Sequence, residues 1–223
     1  MRVQLDSGTP AELVVPEGGA DRGVVIYPDI MGLRPLFDDL ASRLADQRRW
    51  AVCVVELFPG QEHLSSVEQR FEAAPRLEDE RVVGDAVAAA DVLRARAGCE
   101  KVAVLGFCMG GMYALKAAAS GRFDKAVSFY GMIRVPEGWR GSGQSEPLEL
   151  LKGVTTPILA VVGGRDPYTP AGDVQQLRAL GPQVEAVVYP EAEHGFVHDP
   201  SRPAHRADDA ADAWAKVFAL LAV

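Results

Sequence analysis

The chain has 223 residues, of which 48% are hydrophobic and 24% charged, proportions that suit a folded globular protein and exclude a disordered tract. A formal charge of −8 argues against nucleic acid as a partner, and residues Met1 to Asp6 lack the apolar core of a signal peptide. The longest uncharged apolar run, between Lys101 and Lys116, is too short to span a bilayer, and Cys53, Cys99 and Cys108 make no even disulfide framework. The expectation is therefore one α/β domain over residues 1–223, cytoplasmic, with no membrane association.

Two short alternating segments, around residues 3–5 and 12–15, predict an opening antiparallel hairpin. Residues 22–27 read as a buried strand running into the loop Pro28-Asp29-Ile30-Met31-Gly32, and a helical pattern covers 35–48. A second such strand, 50–55, ends in Glu56-Leu57-Phe58-Pro59-Gly60. A polar stretch with a short helix near 66–73 precedes a longer helix over 77–96, where Val82, Val83, Ala86, Val87, Ala90 and Leu93 recur at helical spacing. Its charged start, Glu78-Asp79-Glu80-Arg81, reads as a solvated first turn. The run 101–107 is a strand followed at once by an alanine-rich helix, and 125–130 is the next strand. Residues 131–144 hold glycine, proline and tryptophan without periodicity, as a surface loop or lid would. Strand 157–162 ends in Gly163-Gly164-Arg165-Asp166-Pro167, and Thr169-Pro170 predicts an N-cap and first helical residue for a helix to about 180. Strand 184–189, the loop Glu193-His194-Gly195-Phe196 and a helix over 203–221 complete the chain. Near-continuous apolar strands alternating with helices imply a mostly parallel sheet covered on both faces.

Gly106-Phe107-Cys108-Met109-Gly110 has the form G-x-nucleophile-x-G, between a strand and a helix. A sharp strand-to-helix turn brings backbone segments together, so Gly106 and Gly110 stand where a Cβ would clash. The turn leaves Cys108 at a helix N-terminus, where unpaired N–H groups favour a thiolate. Asp166 and His194 also follow strand ends, the place where open α/β sheets carry their chemistry. The order nucleophile, acid, histidine gives each a role. His194 takes the thiol proton and returns it to the leaving group, while Asp166 fixes the imidazole tautomer. An oxyanion would be met by the N–H of Met109 and, from the loop after strand 22–27, that of Ile30, with Gly32 letting that loop pass close to the elbow.

These blocks together (Gly106-Phe107-Cys108-Met109-Gly110-Gly111, Pro28-Asp29-Ile30-Met31-Gly32, Gly163-Gly164-Arg165-Asp166 and Glu193-His194-Gly195-Phe196) resemble the dienelactone hydrolase, or carboxymethylenebutenolidase, family over nearly the whole chain. The resemblance implies an α/β-hydrolase fold with a mostly parallel central sheet of about eight strands, flanked by helices on both faces. It implies hydrolysis of a small lactone or ester through a thioester acyl-enzyme, with no metal and no organic cofactor. It also implies a carboxylate that contacts the resting thiol, at Asp29. Members acting on dienelactone hold its carboxylate with arginines; the position shortly after the catalytic histidine is here His198, and Arg70 or Arg76 is the candidate second basic contact.

Tyr130 and Trp139 are further pocket candidates near the elbow, with core packing the alternative for Tyr130. Cys53 and Cys99 read as packing residues, and His63 and His205 lack metal-ligand spacing. Besides lactone hydrolysis, the sequence leaves open a general carboxylesterase, a thioesterase or acyl transferase, and a non-hydrolytic member in which Cys108 is a redox-sensitive thiol or ligand contact. It leaves monomer and homo-oligomer equally open.

Overall fold

The computed structural model describes residues 1–61 and 63–222. Eight strands form one sheet in the order β1-β2-β4-β3-β5-β6-β7-β8. The strands β1 (Arg2–Gln4) and β2 (Pro10–Val14) form the expected antiparallel hairpin, and β2 also pairs antiparallel with β4 (Trp50–Val55). From β4 onward the ladder is parallel, through β3 (Arg22–Tyr27), β5 (Val102–Phe107), β6 (Ala126–Phe129), β7 (Ile158–Gly163) and β8 (Val184–Tyr189). Every residue of β3, β4, β5, β6 and β7 is buried, which explains why each reads as an unbroken apolar run.

The two-residue period of a strand divides these runs between two cores. Val25, Tyr27, Cys53, Val55 and Val104 face α3 (Asp79–Ala97), α4 (Met109–Ala118) and α6 (Ala171–Arg178). Val24, Ile26, Val52, Val54, Leu105 and Phe107 face α1 (Pro35–Arg48) and α7 (Ala207–Leu221). The chain passes from β3 outward to β4 and then back across to β5, so the strand order reverses between β3 and β5. A crevice opens at the carboxyl ends of those strands; Cys108 follows β5 directly, and Ile30 lies in the loop just after β3.

Four local expectations are corrected. The helix α3 begins at Asp79, because Leu77 and Glu78 are extended and the Asp79 N–H is tied to the Gly143 carbonyl at 2.9 Å. Its first turn is not simply solvated: Asp79 receives the buried Lys116 ammonium at 2.7 Å and the Ser145 N–H at 2.7 Å. Thr169 caps nothing, since the residue flanking α6 is Pro170 and the Thr169 hydroxyl is buried without a partner. The last helix starts at Ala207 rather than 203, as residues 199–206 are held in turns by the bonds Arg202 N–H to Asp199 O, His205 N–H to Arg202 O and Arg206 N–H to Phe196 O.

Residues 131–144 form a wall pinned to α2 (Val67–Ala73) and α3. Gln144 donates to the Ala74 carbonyl at 2.7 Å, and Trp139 packs on Phe71 with ring centroids 5.4 Å apart. A single helical turn, α5 (Pro147–Leu150), follows. No helix of the described residues is long and apolar enough to cross a membrane.

Candidate active site

The turn after β5 is as tight as its glycines suggest. A Cβ on Gly106 would lie 2.0 Å from the Gly110 carbonyl oxygen, and one on Gly110 would lie 2.1 Å from that of Pro28. Cys108 takes the strain, at φ 56° and ψ −120°, an unusual conformation for a residue with a side chain. Its N–H is tied to the Phe129 carbonyl at 3.0 Å, and its thiol stands partly exposed at the head of α4.

Sequence-distant loops bring the partners. His194 Nδ1 lies 2.7 Å from Asp166 Oδ2, and the other carboxylate oxygen accepts the Tyr168 N–H at 2.9 Å. Asp166 is thereby fixed as an acceptor, which sets the imidazole tautomer. His194 Nε2 is buried, bonds no nitrogen or oxygen, and lies beside the Cys108 thiol. Burial works to lower the pKa of His194, but its hydrogen bond to Asp166 and the neighbouring Cys108 sulfur outweigh it and push it from 6.5 up to about 10. Burial pushes the Cys53 thiol up to about 12 and raises that of Cys99.

The loop after β3 is anchored at each residue. Asp29 accepts the Met31 N–H and two bonds from Arg34, at 2.6 and 2.7 Å. The Ile30 carbonyl accepts from Arg70 at 3.1 Å, and the Leu33 N–H donates to Glu56 at 2.8 Å. Gly32 adopts φ +71°, and a Cβ there would lie 2.4 Å from the Glu56 carboxylate. The glycine therefore makes room for Glu56, not for the elbow. The Ile30 N–H bonds nothing among the described residues, and Met109, first residue of α4, has no intrahelical acceptor for its own. Both donors are free.

A cavity of about 480 Å³ opens over Cys108 and His194. Ile30, Met31, Val67, Phe71, Met132 and Trp139 supply its apolar wall, and Tyr168 sits with its ring edge-on to His194 at 5.0 Å. Asp29, Arg34, Asp199 and Arg202 complete it. Arg34 is committed to Asp29, whereas the Arg202 guanidinium forms no ion pair or hydrogen bond among the described residues. It rests instead against Gly195, where a Cβ would meet it at 2.4 Å.

Of the sequence candidates, Cys108, Asp166, His194, Met109, Ile30, Asp29 and Trp139 converge here. The expected contact between Asp29 and the resting thiol is absent from the bonds of Asp29, which go to Arg34, His198 and Met31. Three substrate candidates lie off the cavity wall. Arg70 is buried beneath it, bonded to the Leu64 and Ile30 carbonyls and 3.4 Å from Glu56. Tyr130 and His198 are buried and bonded to each other. Sequence reasoning missed Arg34, Glu56 and Arg202; only Glu56, an acid at the end of β4, carried a local signal. Among the described residues no group of three or more His, Cys, Asp or Glu side chains could hold a metal ion.

The sequence profile of the dienelactone hydrolase family matches residues 10–223. A carboxymethylenebutenolidase of Pseudomonas putida is 30% identical over 205 residues, spanning 87% of this chain and 80% of its own. A protein of Bradyrhizobium sp., named as a probable 2-oxo-3-(5-oxofuran-2-ylidene)propanoate lactonase, is 32% identical over 198 residues, or 86% and 79% of the two chains. The crystal structure of a dienelactone hydrolase candidate from Klebsiella pneumoniae superposes with a TM-score of 0.88 at 25% identity, covering 98% of this chain and 96% of that one. With a fold and a family profile that agree over nearly its whole length, the chain belongs to the dienelactone hydrolase family and is an α/β-hydrolase acting on carboxylic ester bonds.

Proposed function

We propose that the chain opens a small lactone or ester by nucleophilic attack of Cys108, through a thioester acyl-enzyme. The observation that carries this reading is the row Cys108, His194, Asp166, beneath a cavity and beside two free N–H groups. The thiolate Sγ attacks the carbonyl carbon, and the oxyanion is received by the N–H groups of Met109 and Ile30. As the C–O bond breaks, His194 Nε2–H gives its proton to the departing oxygen. Water then enters, His194 removes its proton, the C–S bond breaks, and the hydroxy acid leaves with the thiolate restored. The elevated pKa of His194 suits this cycle, since the imidazolium needed as acid persists in the resting pair. Rapid quenching during turnover of a slow aryl ester should show an acyl adduct on the Cys108 peptide, discharged by hydroxylamine. An adduct elsewhere, or none under burst kinetics, would refute the thioester.

A pH effect follows. The alkaline limb of kcat/KM should lie near the His194 value of about 10, far above the 6.5 of an isolated histidine. Asp166→Asn removes a contribution that raises that value, so the limb should move to lower pH. A limb that stays in place would show that Asp166 does not set it.

The cavity favours a substrate with an apolar body and an anionic group. Its apolar wall takes the first and Arg202, its uncommitted cation, the second. Arg202→Gln should raise KM for a carboxylate-bearing lactone roughly tenfold to a hundredfold, the loss of one charge-assisted hydrogen bond. KM for an uncharged aryl ester should change less than about twofold, as it never used that bond. Equal effects on both would favour a general carboxylesterase, the reading that the Phe71–Trp139 wall also supports.

A further inference from the structure

Beneath the cavity runs a second hydrogen-bonded chain, which the steps above do not use. His198 is buried, its side chain 1% exposed. Its Nε2 lies 2.8 Å from Asp29 Oδ2, and its Nδ1 bonds the Tyr130 hydroxyl. The imidazole is stacked on Phe37, with centroids 5.8 Å apart, and tilted against Phe107 at 5.2 Å.

The protons in this chain can be assigned. Burial works to raise the pKa of Asp29, but its bonds to His198 and Arg34 prevail and hold it well below the usual carboxylate range. Asp29 is therefore only an acceptor, and His198 Nε2 carries the hydrogen between them. Tyr130 is kept protonated, chiefly by burial, so its O–H donates to Nδ1. His198 thus ties Asp29 to Tyr130, one ring nitrogen to each.

The chain touches the segments that carry Ile30, Cys108 and His194. Asp29 precedes Ile30, whose N–H is the proposed oxyanion donor. Phe107 precedes Cys108. Tyr130 follows Phe129, whose carbonyl holds the Cys108 N–H, and its ring meets the His194 ring at 5.2 Å. His198 itself lies on the loop that carries His194. Resting on the functional reading above, we propose that His198 is a positioning residue: through Asp29 it fixes the Ile30 loop relative to Cys108 and His194, so that the Ile30 N–H stands where the oxyanion forms. Arg70 holds the same loop from its other side through the Ile30 carbonyl. Loss of His198 therefore leaves the loop attached but no longer in register.

The test sets a reaction that needs an oxyanion hole against one that does not. Turnover of an uncharged aryl ester needs it; alkylation of Cys108 by iodoacetamide needs only the thiolate. His198→Phe keeps the ring packing and loses both bonds. It should lower kcat roughly tenfold to a hundredfold, as small misplacements do, with KM and the alkylation rate within about twofold of wild type. His198→Gln, whose amide N–H can still donate to Asp29, should recover most of the loss. Tyr130→Phe removes one hydroxyl and little packing, and should show a smaller loss of the same kind if His198→Phe folds poorly. A wild-type kcat in His198→Phe would overturn the proposal, as would parallel losses of turnover and alkylation in all three variants. Cys108→Ala in the same series separates the failures. Activity that survives without Cys108 takes down the functional reading and this proposal with it. Activity lost there but intact in His198→Phe takes down the positioning role alone.

Discussion

Cys108→Ala should lower kcat/KM on any lactone or ester substrate by more than about 10⁴-fold, and His194→Ala should do nearly as much. The two losses should not add. Without the sulfur no acyl-enzyme forms for His194 to serve as acid and then as base, and without His194 the sulfur has no partner to protonate the leaving oxygen or to activate water. The double variant should therefore fall no further than the worse single one, a pattern that independent sites cannot give. What activity remains comes from binding and the two N–H donors, which neither substitution touches. The measurement is kcat/KM for wild type, both single variants and the double, on one lactone and one aryl ester. Retention of more than a few per cent by Cys108→Ala would sink the cysteine assignment. Additive losses would sever Cys108 from His194.

The parts of this site that could be read from the sequence are those set by short-range geometry. Gly106 and Gly110 bracket Cys108 because backbone passes within about a bond length of where their Cβ atoms would be, so the motif is written in five consecutive residues. Strand ends could be located from apolar runs, which placed Cys108, Asp166 and His194 at one end of the sheet. What escaped was pairing at long range. Nothing local tells that His198 bonds Asp29, 169 residues away, or that Arg70 turns inward to the Ile30 carbonyl. A basic residue on a loop looks the same whether it faces a ligand or a buried carbonyl. For that reason Arg70 and His198 were expected on the cavity wall, where Arg34 and Arg202 stand instead. The 131–144 segment is the irregular loop that its composition suggests, but only the folded chain shows Gly143 and Gln144 bonded to α3 and Ala74.

Gly110→Ala should be strongly damaging for a change of a single methyl group. The added carbon would lie 2.1 Å from the Pro28 carbonyl oxygen, 2.6 Å from that of Tyr27 and 2.7 Å from the Tyr27 Cβ. None of these atoms is the tip of a side chain able to rotate away, so either α4 or the end of β3 must move. The expected cost is at least about 3 kcal/mol, the upper part of the range for overpacking. For a chain of this size that is a fall of roughly 6–12 °C in Tm. Activity should suffer beyond the loss of folded protein, because Pro28 leads directly into Asp29 and Ile30, and pushing it shifts an oxyanion donor. Gly84→Ala is the control. Gly84 is exposed within α3, with nothing within 4 Å of a Cβ, and alanine there should stabilise by about 0.5–1 kcal/mol through helix propensity alone. Thermal unfolding of both variants, with kcat measured below the transition, decides the matter. If Gly110→Ala unfolds with the wild type, the close approach of β3 to the elbow is not what holds Cys108 in its strained conformation. If it unfolds early yet turns over normally while folded, the elbow is rigid but the oxyanion loop is free to adjust.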